Sequence, residues 1–370
     1  MGPLRALLIA FLLTAQASAE SRLSDENAAL LQEGLVTTAE AFVRPAYVAQ
    51  SAAADALVEA LDAHCVAPGA TSRAASADVS VDPSVVEARF AGLLLAWQRS
   101  ALIRMGPIME NEGPMRVQLW PDPKGFSERA VRAALAAEDR TLLVPGALEG
   151  RSIALTNLTS LETLIHAPLR REGYPCALAT AIAAFQADLA GDLVDAWTVG
   201  SDFRLAFDTS AAGNDRFADV DAVVRRLLAG AVVEADRLRK FKLLRGLGPA
   251  PGEARPTRTE AVDSGLGLAS VEASFRALAD FYATPFGLFD TAPEIGGSMD
   301  YVLLERAASA VADDLAFESA SLVEIADEDG SRAAELRRHA ESVLHHEVFL
   351  KSGFPSSIGL TAGFTAADGD

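Results

Sequence analysis

Val86, Phe90, Leu93 and Trp97 fall four, three and four residues apart, the spacing that lines one face of an α-helix. Asp82-Pro83 just before them supplies an N-cap followed by proline at the first helical position. The same patterning runs through most of the chain. Residues 27–64 form a long amphipathic stretch with Pro45 as its expected kink or break. Residues 127–137 predict a short helix capped by Ser127, and 175–197 predict one that starts at Pro175 and ends near Trp197. In the second half, 217–245, 268–283, 300–322 and 331–351 carry helical patterning as well. Alternating β-branched runs are scarce, alanine, leucine and valine dominate, and aromatics are only 6% of the residues. The expectation is an all-α fold, whose helices, joined by short or medium connections, pack as bundles.

Three stretches interrupt the pattern. Residues 66–82 are rich in Pro, Gly, Ser and Ala and predict a surface loop. Residues 246–267 hold eight glycines and prolines, from Gly246 to Gly267, and predict a long irregular connection of the kind that is often functional. The charge break and glycines near 200–216 predict a linker, which divides the chain into an N-terminal bundle over 20–205 and a C-terminal bundle over 206–370.

Residues 1–19 precede the first bundle and have the layout of a cleavable signal peptide. Arg5 is the only charge before Glu20, Leu7 to Leu13 form a short apolar run, and Ala17-Ser18-Ala19 offers the small residues that a signal peptidase reads. That run is too short to span a bilayer, which takes roughly 20 apolar residues. Glu20 rather than Cys follows the cut, so a soluble exported protein of the periplasm or cell envelope is expected. The chain has 32 basic and 51 acidic residues; losing Arg5 leaves 31 − 51 = −20. Such a balance argues against nucleic acid or an anionic membrane as partner and permits attraction of cations. The two cysteines, Cys65 and Cys176, either pair in an oxidising compartment or stay as buried thiols, and neither lies in a C-x-x-C motif.

Several segments carry a family resemblance. Trp97-Gln98-Arg99, then Arg104-Met105-Gly106-Pro107, then Arg116-Val117-Gln118-Leu119-Trp120-Pro121-Asp122 resemble the N-terminal signature of the imelysin family. Tyr174-Pro175-Cys176 before an alanine-rich helix is similar to that family's next helix, residues 260–268 around Ser264-Gly265 to its second-domain loop, and 360–370 to its closing motif. The resemblance implies two helical bundles related by a pseudo-repeat, with a site between them, in a bacterial envelope protein often linked to iron uptake. It also carries a peptidase label. The family's Gly-x-His-x-x-Glu motif aligns here with Asn157-Leu158-Thr159-Ser160-Leu161-Glu162, so only the glutamate is kept, and a hydroxyl replaces the imidazole that a borderline transition metal prefers.

Two accounts of Glu162 stand side by side. It can offer a carboxylate to a hard cation, or Thr159 and Glu162 can form a capping box that needs no ligand. Arg116 can fork onto Asp122 or Glu162, or anchor a loop. Trp97 belongs to the helix core, and Trp120 before proline reads as packing. Of the five histidines (His64, His166, His339, His345 and His346), none completes His-Glu-x-x-His, and no Gly-x-Ser-x-Gly elbow, phosphate loop or dinucleotide fingerprint is present. Asp368, Asp370 and the terminal carboxylate would serve a cation if the tail docked. The expected site residues are therefore Arg116, Asp122, Glu162 and Ser264 at the bundle interface, with Glu162 and Asp122 as metal ligands. The expected function is a periplasmic binding or accessory protein for iron or another divalent or trivalent cation. Its partners would be the metal ion or a metal chelate and an envelope transport protein. An envelope peptidase using metal-activated water and an interaction module without a small ligand are the alternatives.

Overall fold

The computed structural model describes residues 23–65, 82–167 and 169–360. The expected signal peptide, nearly all of the 66–82 loop and the acidic tail lie outside the described residues. Within them the fold is all-α, and no strand occurs.

The chain enters through α1 (Asp25–Thr38), where the Ser24 hydroxyl accepts from the Asn27 N–H. It continues without a break through a π-helical turn (Ala39–Val43) into α2 (Arg44–His64). Pro45 therefore does not end the helix. A proline ring clashes with the carbonyl four residues back and lacks the N–H that would bond it; widening the turn just upstream absorbs that misfit. The same device recurs near the end of the chain, where a π-turn (Phe349–Gly353) comes just before Phe354-Pro355.

Helix α3 (Pro83–Ser100) starts as its sequence predicts, with Asp82 accepting from the Ser84 N–H at 2.9 Å and Val86, Phe90, Leu93 and Trp97 all buried. After the short α4 (Gly113–Val117) comes α5 (Phe126–Ala137). Ser127 is not its cap: it lies buried inside the first turn, and its N–H donates to Asp122 Oδ2 at 2.8 Å. Two further short helices, α6 (Ile153–Thr156) and α7 (Leu158–His166), lead to α8 (Tyr174–Ala196). By length and composition α8 could cross a membrane, yet Leu178, Ala179, Ile182 and Ala183 are buried against its neighbours α2 and α7. Cys65 at the end of α2 and Cys176 in the first turn of α8 form a disulfide, with Cα atoms 5.6 Å apart, which settles the choice left open by the sequence.

Residues 200–216 are more than a linker. Helix α9 (Asp202–Asp208) sets Phe203 and Phe207 edge-on to Trp197, at 5.0 and 5.2 Å between ring centres. The second half then runs through α10 (Val220–Arg237), a π-turn (Leu238–Leu243), α11 (Leu244–Leu247) and α12 (Gly267–Tyr282). The helix expected over 300–322 ends earlier, as α13 (Asp300–Ala316), and a capping box of Ser321 and Glu324 starts a separate helix, α14 (Leu322–Glu328), at its far limit. Helices α15 (Ser331–Val348) and α16 (Phe354–Ser357) close the described chain.

Helices α2, α3 and α8 pack together in the first half, and α10, α12, α13 and α15 in the second, with α3 lying on α12 across the seam. Helix α1 reaches over to the second half: it packs on α9 and α10, and Gln32 bonds the Phe207 carbonyl and the Ser210 hydroxyl. Buried apolar side chains from Leu31 to Leu360 form one continuous cluster.

Candidate functional site

Helix α7 determines what Glu162 can do. Its N-cap is Asn157, whose Oδ1 accepts from the N–H groups of Thr159 (2.8 Å) and Ser160 (3.3 Å). The Thr159 hydroxyl donates instead to the Leu119 carbonyl at 3.3 Å. The capping box of Thr159 and Glu162 is thus absent, and the Glu162 carboxylate turns toward the second half of the chain. There its Oε1 accepts from both the N–H (2.9 Å) and the hydroxyl (2.7 Å) of Ser264, 102 residues away in sequence. Glu162 is only 8% exposed. Burial raises its pKa above the ordinary carboxylate value; the two Ser264 bonds oppose the rise, and the neighbouring Asp263 and Glu260 carboxylates add to it.

His166 stands one turn further along α7, on the face that carries Glu162. Its ring is half-buried and lies edge-on to Phe90, and Nε2 has no hydrogen-bond partner among the described residues. Burial lowers its pKa, while Glu87 and Asp263 pull the other way. Asp263 therefore acts electrostatically on both Glu162 and His166. Neither His166 nor Asp263 stood out by residue type alone. The four-residue step from Glu162 to His166 and the adjacency of Asp263 to Ser264 were the available signals.

The other expected site residues are placed differently. Asp122 Oδ2 holds the start of α5 through the Ser127 N–H, and its Oδ1 is buried without a partner among the described residues. No hydrogen bond or ion pair joins Asp122 to Glu162. Arg116 forks onto neither carboxylate: its guanidinium donates to the carbonyls of Asn111 (2.8 Å), Glu149 (3.3 Å) and Arg151 (3.5 Å), and so anchors the loops around α4. A guanidinium carries five N–H donors, and here three backbone oxygens engage it without any ion pair.

A polar core beneath the seam was missed by sequence reasoning altogether. Lys242, in the π-turn after α10, is fully buried and contacts Gln98 Oε1, Ser274 Oγ (2.7 Å), Glu234 Oε1 (3.4 Å) and Glu260 Oε2 (3.7 Å). Gln118 Nε2 donates to Glu260 Oε1 at 2.8 Å, and the Trp97 indole N–H donates to Gln118 Oε1 at 3.0 Å. Arg104 and Arg237 approach Glu234 from the other side, at 3.5 and 3.6 Å. Burial alone would raise the Glu234 pKa, but Lys242, Arg237 and Arg104 outweigh it and hold the group below the ordinary value. The signal was a lysine set inside the apolar run Phe241-Lys242-Leu243-Leu244.

Among the described residues, the group of three acid or imidazole side chains whose ligand atoms lie within 4.8 Å of one another is Asp314, Glu335 and His339; at the seam a cation that takes oxygen ligands would meet a single carboxylate, that of Glu162. Both Ser264 bonds fall on Glu162 Oε1, which leaves Oε2 without a protein donor among the described residues. Asp263 adds a negative charge that acts on both Glu162 and His166, but the three side chains do not bring their ligand atoms within 4.8 Å of one another.

Fold and site together define an all-α protein of two packed bundles whose buried carboxylate on one side is held by a hydroxyl from the other. The imelysin family model matches residues 43–342, and the chain belongs to that family. An imelysin-like protein from Psychrobacter arcticum 273-4 has a similar structure, with a TM-score of 0.71 at 18% identity over 93% of this chain and 99% of that one. A second similar structure, from Parabacteroides distasonis ATCC 8503, is described provisionally as an iron-regulated protein A precursor; its TM-score is 0.67 at 11% identity, over 91% of this chain and 97% of that one. No curated protein matches the chain significantly.

Proposed function

We propose that this chain is a periplasmic binding or accessory protein in the acquisition of iron or another metal, and that it holds a cation or its chelate at the seam where Glu162 meets Ser264. The observation that carries this reading is the buried Glu162 carboxylate, with one oxygen committed to Ser264 and two more acids, Asp263 and Glu260, acting on it. Like charges gathered in a partly desolvated place repel one another, and a bound cation relieves that repulsion. The iron-regulated description of the Parabacteroides relative and the signal-peptide layout of residues 1–19 support the metal and the compartment. The two-bundle division at residues 205–206 belongs to the same reading, because it places the seam between the halves.

The test is elemental analysis of the purified mature protein, followed by calorimetric titration with ferrous, ferric, zinc and cupric ions. Stoichiometric binding is expected, weakened at least tenfold (about 1.4 kcal/mol) by Glu162→Ala. Asp122→Ala separates the two candidate carboxylates: as the residue that holds the start of α5, it is expected to lower Tm and leave the affinity within twofold. Wild-type protein that binds none of the four ions would overturn direct metal binding and leave Glu162 as a structural acceptor for Ser264.

A further inference from the structure

Acids outnumber bases 51 to 32 in this chain, so a surface arginine has carboxylates close at hand. Yet three arginines line one cleft of about 590 Å³ without an ion pair. Arg245, Arg255 and Arg258 have no ion-pair or side-chain hydrogen-bond partner among the described residues; Lys240 lies beside them, and Glu253 is the one acid in the lining. The charges act on each other: burial lowers the Arg245 pKa, and Arg258 lowers it further.

The cleft is built, rather than left over between floppy loops. Its wall is the glycine- and proline-rich connection after α11, and a buried arginine secures that connection. Arg337, on α15, donates to the carbonyls of Leu247 and Gly248 and pairs with Asp329, which in turn accepts from the Gly252 N–H. The Arg255 N–H closes the turn onto the Gly246 carbonyl at 2.6 Å. Gly246 and Gly248 permit the tight return: a Cβ on the first would strike Thr259, and one on the second the backbone of Glu253. Gly248 also takes a positive φ of 70°.

We infer that this cleft binds a small multivalent oxyanion, a di- or tricarboxylate or a phosphate, through the forked guanidiniums of Arg245, Arg255 and Arg258. A planar guanidinium pairs bidentately with such groups, and three of them match several anionic oxygens better than one. A long polyanion is disfavoured because the chain as a whole carries a net charge of −19 that would repel it. The site shares no residue with Glu162 and stands whether or not the seam binds metal.

The test is calorimetric titration of the wild-type protein with citrate, inorganic phosphate and acetate at 50 mM salt, repeated with the double variant Arg245→Gln/Arg258→Gln and with Arg132→Gln. Arg132 is a surface arginine already paired with Glu128 and serves as the charge control. Saturable 1:1 binding of citrate or phosphate is expected, with acetate silent. The double variant should weaken binding at least tenfold, and Arg132→Gln should change it less than twofold. Tighter citrate than phosphate identifies a carboxylate site, and the reverse a phosphate site. Neither anion binding, or the double variant binding as wild type does, overturns the inference. Both substitutions sit outside the buried core, so an unchanged far-UV spectrum shows that the fold is retained. Glu162→Gln should leave citrate binding intact, which separates failure here from failure at the seam.

Discussion

The fate of Glu162 turns on which side chain begins α7. The sequence offers Thr159-x-x-Glu162 as the start of this helix, but Asn157 caps it, and a carbonyl forty residues upstream, that of Leu119, takes the threonine hydroxyl. No local pattern contains that fact. It follows that Thr159→Ala should cost well under the roughly 1 kcal/mol of a lost cap, whereas Asn157→Ala should cost that or more, measured by urea denaturation. The raised pKa of Glu162 has a consequence for pH. Protons compete for the same oxygen as a cation, so metal affinity at the seam should fall as pH drops through the raised value, and it should start falling at a higher pH than for an ordinary carboxylate. Calorimetry across pH 4 to 7 checks this. The pKa of His346 moves the other way. It is buried against Tyr282, whose hydroxyl lies 3.2 Å from Nδ1, and burial with a contribution from His345 pushes its pKa down to about 4 from 6.5. A depressed histidine gives stability that is present above 6.5 and lost as pH falls toward 4, because only the unfolded chain takes the proton. The loss is on the order of 3 kcal/mol at full extent. His346→Gln should flatten the decline of Tm between pH 6.5 and 4; an unchanged slope would show that other groups drive it.

The helices themselves were readable because apolar residues at helical spacing leave few other ways to be buried. Val86 through Trp97 went to the core as patterned, and Asp82 capped α3. What escaped was whatever depends on an element's partner. Pro45 passes through a helix because a π-turn precedes it, and the supposed linker near 203 is pinned by Trp197. Lys242 sits among leucines because two buried glutamates, from α10 and the loop before α12, wait for it. That last arrangement makes a sharp prediction. Lys242→Met leaves Glu234 and Glu260 short of a compensating charge, and breaking a buried pair from one side costs about 3–5 kcal/mol. Urea denaturation should report that much, and a loss below 1 kcal/mol would mean that water reaches the cluster. The disulfide between α2 and α8 acts at the same scale: it closes a loop of 111 residues in sequence separation, so replacing both cysteines by serine should cost about 2–5 kcal/mol.

At the scale of the whole molecule, two bundles were legible from the sequence, and their interlocking was not. Helix α1 belongs to the first half by sequence and to the second by contact, and α3 lies on α12 across the seam. Glu162 and Ser264 meet there for the same reason: each half contributes one side of the contact. A core without a break between the halves predicts one cooperative unfolding transition, with far-UV circular dichroism and tryptophan fluorescence coinciding; separate midpoints would show that the bundles melt independently. The reach of α1 also affects the order of assembly. Chains are made and delivered from the N-terminus, and domains generally close as their last contacts arrive. Gln32 must wait for Phe207 and Ser210, 175 and 178 residues later. The earliest helix of the described chain is therefore among the last to find its place, and for that interval its apolar face is a surface that a chaperone could hold.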